Sequence, residues 1–436
     1  MALAVELGCP SRQDGPHRGS QTSERQAIEH RTGTVWRMRS VTADPAPEAY
    51  REGGVSLQLG QGFFRPESRP SRDLGVLLCR SLVACREGLG ANPPVRVLDL
   101  MAGCGIRSLR LAVEGGAASV WANDADPGRL PLLRANLASL AALPHRCTAL
   151  TAQKLLAACL LRQQRFELVD LDAFGSVAGL LPLALEAVAF EGVLYLASSD
   201  GRSPTGHDRP AAIRSLGAAA RAHPASWELA LRLQIGQVAR LAWAQGWGIE
   251  PLFSFSEGRT FRTAIQLRRR PRVGEEQQLG LLAHCHGCGD QQLQSLLKLR
   301  GWPPCLCPED PQQRQGGRPL AISGPLWLGP LQNGVWLERL HQAALALPTG
   351  WQAPASQRLL QVLMADPGLP ARCWPMAELS RRLPTGTPRL AGLLEALRQE
   401  GWCAHRSGVM AGMLRSDAPW ARILELAAAL APPGPN

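Results

Sequence analysis

The chain contains no apolar run approaching the ~20 residues needed to cross a bilayer, and residues 1–7 are too short for the apolar core of a secretory leader. It has no internal repeat and no amphipathic helix of the membrane-binding type. Its 12 cysteines do not form a disulfide framework: Cys79, Cys147 and Cys159 sit inside apolar runs, the placement of reduced, buried thiols. These absences exclude a membrane span and a disulfide-stapled secreted fold. We expect a cytoplasmic protein with no obligate protein partner. Lysine is nearly missing too. All but Lys154 and Lys298 of the 47 basic residues are arginine, and with 36 acidic residues the net charge is +11. Arginine's planar fork suits two-point phosphate contacts, so a polyanionic partner is one reading; arginine-rich codon usage is the other.

The 436 residues divide by pattern. Residues 1–48 are polar and aperiodic and read as a disordered tail. Residues 49–272 carry alternating β and α signals: strands over 95–100, 118–124, 147–151, 166–172 and 192–198, with helices over 106–114, 127–142, 154–162 and 180–189 between and after them. A helix over 227–246 precedes a hairpin whose arms are 250–254 and 260–268. This order predicts an α/β fold, a doubly wound parallel sheet with an antiparallel last strand. Pro271 marks a boundary, and residues 273–436 read as a smaller α+β C-terminal domain.

In such a sheet, ligands bind beyond the carboxyl ends of the strands, where the strand order reverses. The first strand ends in Asp99-Leu-Met-Ala-Gly103-Cys-Gly105-Ile-Arg107, where two glycines permit a tight turn close to a ligand. The second ends in Asn123-Asp124, an acidic position that can accept both hydroxyls of a ribose. A dinucleotide fingerprint wants a third glycine where Ser108 stands, so the pattern favours S-adenosylmethionine over NAD. Cys104 reads as a small residue in a tight turn, not a nucleophile, and no Ser-His-Asp or Cys-His arrangement is present.

The fourth strand ends in Asp170-Leu-Asp172-Ala-Phe-Gly175. An exocyclic guanine amine delocalises its lone pair into the ring and is a poor nucleophile. A carboxylate and a neighbouring carbonyl at a strand end can accept its hydrogens and align the nitrogen with a methyl donor. Asp172 is the expected acceptor and proton sink, Ala173 the carbonyl, and Phe174 a stacking surface for a flipped base. The bland alternative is that Asp172 only caps the following loop.

These motifs resemble, in order, those of the tRNA (guanine-N2)-dimethyltransferase family that acts at position 26 of tRNA. Phe63-Phe64-Arg65-Pro66 with Ser71-Arg72-Asp73-Leu74 resembles its Phe-Tyr-Asn-Pro and Asn-Arg-Asp-Leu blocks, and Gly105-Ile-Arg107, Asn123-Asp124 and Asp170-Leu-Asp172 resemble the blocks that follow. Ser199-Asp200, Pro251-Leu-Phe-Ser254 and Gly324-Pro-Leu-Trp-Leu-Gly329 continue the match, which spans residues 55–420. The resemblance implies S-adenosylmethionine as donor, N2-methylated guanine as product and a C-terminal domain that grips tRNA. It implies that Arg72, Arg107 and Asp124 contact the cofactor, that Asp172 meets the guanine, and that Phe63 or Phe64 lines the base pocket. The strand-end pattern adds Asp99, Gly103 and Gly105 to the cofactor site, with Thr151 and the Ala152 amide at the adenine. The chain departs from the family at Ala173, where proline is usual, at Thr151-Ala-Gln153 in place of Asp-Ala-Asn, and at Arg65 and Ser71 in place of asparagine.

Cys285-His-Gly-Cys288 and Cys305-Leu-Cys307 could bind zinc through four thiolates, and His284 or His286 could substitute for one of them. Free thiols in a variable loop are the alternative. Residues 376–405 show a helix, a turn, a longer helix and a β wing, with Arg381, Arg382, Arg389, Arg398, Arg406 and Arg415 around them as phosphate contacts or a solvated face. Two other readings stay open: a methyltransferase for a different nucleic-acid amine, and a tRNA-binding protein that has lost catalysis.

Overall fold

In the computed structural model, which describes residues 49–88, 94–307, 317–383 and 386–432, the apolar runs of the sequence assemble into a seven-stranded sheet. The tail expected over 1–48 lies outside the described residues. A small hairpin, β1 (Tyr50–Glu52) and β2 (Val55–Leu57), precedes α1 (Arg69–Gly88), a helix that is not part of the expected pattern. The alternation then runs β3 (Arg96–Asp99), α2 (Ile106–Val113), β4 (Ser119–Asn123), α3 (Leu130–Leu137), β5 (His145–Thr148) and α4 (Ala152–Leu161). It continues through β6 (Phe166–Ala173), α5 (Leu181–Ala187) and β7 (Val188–Ser198) to α6 (Arg209–Leu216) and α7 (Ser226–Ala244), and closes on β8 (Gly248–Glu257) and β9 (Thr260–Arg268).

The spatial order is β5-β4-β3-β6-β7-β9-β8. The first five strands are parallel, and β9 is antiparallel to both of its neighbours. From β3 the chain builds outward to β5, then returns to add β6 on the other side. The reversal point therefore lies between the carboxyl ends of β3 and β6. Both strands are covered on two faces: Val97, Leu98, Val169 and Leu171 are all buried, which is why they read as continuous apolar runs without alternation.

Besides α1 and α6, which the sequence reading lacks, two of the expected elements take a different form. The helix expected over 127–142 is a 3-10 turn, then α3, then a second 3-10 turn. Pro131 has no N–H to donate back to Pro127, so a continuous α-helix cannot run through this stretch. β7 starts at Val188 through an irregularity in its pairing with β6, and Gly192 permits it, since a Cβ there would sit 2.9 Å from the Glu167 carbonyl oxygen.

Beyond residue 272, β10 (Leu279–His284), β11 (Gln291–Ser295) and β12 (Ala321–Trp327) form an antiparallel sheet. β12 lies against α7, where a Cβ on Gly236 would approach the Leu326 Cα to 3.0 Å. α8 (Gly334–Leu345) and α9 (Pro354–Met364) add Leu337, Leu340, Leu360 and Leu363 to the core that holds α1 and β3. The apolar core thus crosses the pattern boundary at 272. The last stretch, β13 (Cys373–Pro375), α10 (Met376–Ser380), α11 (Leu390–Gln399), β14 (Ala404–Arg406), β15 (Met413–Ser416) and α12 (Trp420–Leu430), has the helix-turn-helix-wing order read from the sequence. Its own core is centred on Trp374 and Trp420, stacked 5.0 Å apart. Among the described residues no helix is long and apolar enough to cross a membrane, and Cys79, Cys147 and Cys159 are unpaired thiols.

Candidate active site

The carboxyl ends of β3, β4, β5 and β6 bring most of the sequence-selected residues to one rim. The turn after β3 holds Gly103 and Gly105 at φ of +55° and +85°, a conformation glycine adopts without a Cβ penalty. The two serve different needs. A Cβ on Gly105 would strike Leu133 and Leu137 of α3 at 2.7 Å, whereas one on Gly103 would meet nothing within 4 Å. Gly103 therefore presents bare backbone to an open space. Its N–H donates to Asp124 Oδ2 at 2.9 Å, and Asp126 N–H donates to Oδ1 at 2.9 Å, so the half-buried Asp124 is held at the lip of that space. Asn123 stays fully buried and ties the strand ends together through Leu100 and Leu150. Thr151, exposed, caps α4 by accepting from Lys154 N–H at 3.4 Å, with Ala152 buried beneath it.

Asp172, at the tip of β6, is 29% exposed and held by two arginines. Arg107 Nη2 donates to its Oδ2 at 2.9 Å and Arg262 Nη2 to the same oxygen at 2.7 Å. No described residue donates to Oδ1. Burial pushes the carboxyl's pKa up, but the charges of Arg262 and Arg107 outweigh that and hold it well below the usual carboxylate range. Arg262 is itself fixed by Glu257 at 3.2 Å and lies over the Tyr195 ring, while Arg107 also donates to Ser71 Oγ at 3.0 Å. Asp170, two residues back on the same face, has an Oδ1 with no partner among the described residues. Its strand neighbour Asp99 is buried, accepts from Ser108 Oγ at 2.7 Å, and has its pKa raised to about 7 by burial and by the Asp170 charge.

Two large apolar rings stand exposed beside Asp172. Phe63 and Phe174, 66% and 75% exposed, meet edge to face with centroids 4.9 Å apart. Phe64 turns the other way, against Tyr50 at 4.8 Å and under the Arg72 guanidinium at 5.0 Å. Of the two phenylalanines read as base-pocket candidates, Phe63 is therefore the one on the rim.

Several sequence-selected residues point elsewhere. Arg72 is buried and bonds Glu52 through two nitrogens at 2.6 and 2.7 Å. Arg107 reaches Asp172, not the Gly103 turn. Arg262 was not among the sequence candidates, although a single charge inside the apolar strand Phe261-Arg-Thr-Ala-Ile265 is the signal that could have found it. A cleft of about 1390 Å³ lies at the amino ends of the strands, beside Phe190 and Glu191 at the start of β7, and contains none of the rim residues.

The four selected cysteines converge. Cys285 and Cys307 Sγ are 3.9 Å apart, Cys288 and Cys305 Sγ are 3.6 Å apart, and all four lie within 4.8 Å of one another. Tetrahedral zinc with Zn–S bonds of ~2.3 Å sets its sulfurs about 3.8 Å apart. The donor set fits that ion.

Residues 53–428 match the family described as N2,N2-dimethylguanosine tRNA methyltransferase. The chain is similar to a tRNA (guanine(26)-N(2))-dimethyltransferase of Methanoregula boonei, 30% identical over 82% of this chain and 88% of that one. It is also similar to one of Aeropyrum pernix, 26% identical over 89% of this chain and 94% of that one. Its fold matches the structure of Trm1 from Pyrococcus horikoshii in complex with S-adenosyl-L-methionine, with a TM-score of 0.70 and 23% identity over 87% of this chain and 99% of that one.

Proposed function

The chain belongs to the N2,N2-dimethylguanosine tRNA methyltransferase family, and from that premise we propose that it methylates N2 of a guanine in tRNA, position 26 by the names of its relatives. It is an S-adenosylmethionine-dependent methyltransferase. The observation that carries the site reading is a carboxylate with one unengaged oxygen, Asp172 Oδ1, beside two exposed phenylalanine rings at the reversal point of the sheet.

S-adenosylmethionine supplies an electrophilic methyl on sulfur. The open backbone at Gly103 accommodates it, Asp124 accepts the ribose hydroxyls, and Thr151 with the Ala152 amide meets the adenine edge. The flipped guanine lies against Phe63 and Phe174. Asp172 Oδ1 and the Ala173 carbonyl accept the two N2 hydrogens, drawing the nitrogen out of conjugation and fixing its angle of attack. Arg107 and Arg262 keep Asp172 ionised, so that it accepts a hydrogen bond at every working pH. The same charges make it a poor resting place for the released proton, so the hydrogen that Asp172 Oδ1 accepts is handed on to solvent at the 29% exposed edge of the carboxylate. Asp172 is therefore an acceptor and an orienting group, and the proton-sink role expected from sequence is not part of this reading. Cys285, Cys288, Cys305 and Cys307 hold a structural zinc, and residues 273–436 engage the tRNA.

The test is to incubate the purified chain with S-adenosylmethionine and a tRNA transcript carrying guanine at position 26, then to digest the RNA and quantify methylated guanosines by mass spectrometry. Mono- or dimethylguanosine at that position is expected, and its absence while S-adenosylmethionine binds normally overturns the reading. Metal analysis of the same preparation should give one zinc per chain, lost in Cys288→Ser.

A further inference from the structure

Away from the Asp172 rim, three segments distant in sequence enclose a second cavity of about 490 Å³. His223 comes from the loop before α7, His284 and His286 from the end of β10, and Glu378, Arg381 and Arg382 from α10 and the turn after it. The cavity collects nitrogens with nothing to bond. His223 Nε2, both ring nitrogens of His284, and Arg382 Nε have no hydrogen-bond partner among the described residues.

Leaving such groups unpaired in a buried place is unfavourable unless a ligand satisfies them, and His284 is only 3% exposed. The donors do not depend on a charged imidazole. His223 Nδ1 accepts from Ala225 N–H at 3.0 Å, so the neutral ring carries its hydrogen on Nε2 and offers it to the cavity. His284 presents an N–H in either neutral tautomer.

Among the lining side chains the fixed charge is positive. One carboxylate, Glu378, accepts from Arg381 Nη1 and Arg382 Nη1, each at 2.7 Å, which leaves one guanidinium charge uncompensated. Arg382 Nη2 also donates to the Gly287 carbonyl at 2.7 Å, locking the side chain against the cysteine loop with its Nε unused. The Arg381 side chain is 72% exposed and bonded only through Nη1, so the rest of its guanidinium faces outward. Several unpaired N–H donors, a net positive charge among the lining residues and one exposed arginine together make a receptor for a tetrahedral oxyanion.

We propose that this cavity seats one backbone phosphate of the bound tRNA. The inference rests on the reading of the chain as a tRNA methyltransferase, which supplies the phosphate. It places a grip on the RNA where the cysteine-bearing sheet, the loop before α7 and α10 meet.

The test uses the full chain and the Arg381→Ala/His286→Ala double variant, both confirmed to carry the same metal content. Binding of a tRNA transcript is measured by fluorescence anisotropy at a series of potassium chloride concentrations. Loss of one phosphate contact lowers the slope of log affinity against log salt by about 0.9, and we expect that change with a several-fold loss of affinity. Arg381→Lys in the His286→Ala background should restore most of the slope, as a purely structural lesion would not. Unchanged slope and affinity in the double variant overturn the proposal. Inorganic phosphate, followed by phosphorus NMR, separates the sources: broadening that the double variant abolishes, with no change in tRNA binding, assigns the cavity to a free phosphate compound and also overturns it. A chain that binds tRNA with the expected slopes yet transfers no methyl group defeats the functional reading and leaves this one standing.

Discussion

Arg415 and Asp172 sit at the centres of two ionic clusters that follow opposite rules. Around Arg415, which is fully buried, every direction is filled. Nε donates to Asp366 at 2.9 Å, Nη1 to Glu228 at 2.6 Å and to the Pro370 carbonyl at 2.9 Å, and Nη2 to Glu228 at 2.7 Å and Asp366 at 3.1 Å. Glu228 takes a further bond from Arg232 at 2.9 Å. The cluster welds β15 to α7 and has no capacity left for anything else. Around Asp172 the bonds crowd onto one oxygen, and the cluster retains orphaned atoms, Asp170 Oδ1 and Arg262 Nη1. A closed cluster fixes position; one left open at a solvent-facing edge has bonding capacity to lend to a substrate.

The sharpest way to break this contrast is to open the closed cluster. Glu228→Gln leaves Arg415 and Arg232 short of a counter-charge and should cost about 3–5 kcal/mol, read from chemical denaturation of the full chain. Burial pushes the Glu228 pKa up, but Arg415 and Arg232 prevail and hold it at about 2. A folded value below the unfolded one, ~4.3 for glutamate, means the contribution is complete above that pH and is lost as the pH falls towards 2. The wild-type chain should lose stability over that window and Glu228→Gln should not. Next in size is Asp172→Ala. Removing the open acceptor should slow methyl transfer on the order of 10²–10³-fold, with S-adenosylmethionine affinity measured alongside and largely retained. A variant that transfers methyl groups at the wild-type rate would collapse the assignment of Asp172.

Arg262→Met sharpens the comparison, because it removes one of the two charges that hold Asp172 ionised. We expect roughly a tenfold loss of rate, the equivalent of one charge-assisted hydrogen bond of ~1.5 kcal/mol. The pH profile is the more telling readout. With Arg262 gone the Asp172 carboxyl rises towards the ordinary carboxylate range, so the loss of activity on acidification should begin at a higher pH than in the wild type. A uniform drop with no shift of the acid limb would reduce Arg262 to a packing role.

The sheet and its reversal point were legible because they are written locally. Doubly buried strands appear as unbroken apolar runs, and Gly103, Gly105, Asp124 and Asp172 each lie at the end of one. Arg262 was not legible in the same way. It reaches Asp172 through register across three strands, Asp172 opposite Ala197 and Ala197 opposite Arg262, and the turn of β9 against the parallel strands sets that alignment. Arg107 belongs to a readable motif, but whether its fork meets a ligand or Asp172 is decided by a strand 65 residues away. The cavity at His284 needs three segments far apart in sequence, and no local pattern announces it.

The smallest expected effect concerns a rim position where the chain departs from the family it belongs to. Thr151 now spends its hydroxyl on capping α4, with a long bond of 3.4 Å from Lys154 N–H. Thr151→Asp would keep the cap, since aspartate is at least as good at a helix N-terminus. Its second oxygen would remain free to accept from the exocyclic amine of an adenine at the end of β5. One added hydrogen bond worth ~1 kcal/mol corresponds to about fivefold tighter S-adenosylmethionine binding, measured by calorimetry on the tRNA-free chain. The sign matters more than the size. A carboxylate that weakens binding would mean the adenine does not reach the β5 end, and the open side of the rim would then have to be read from Gly103 and Asp124 alone.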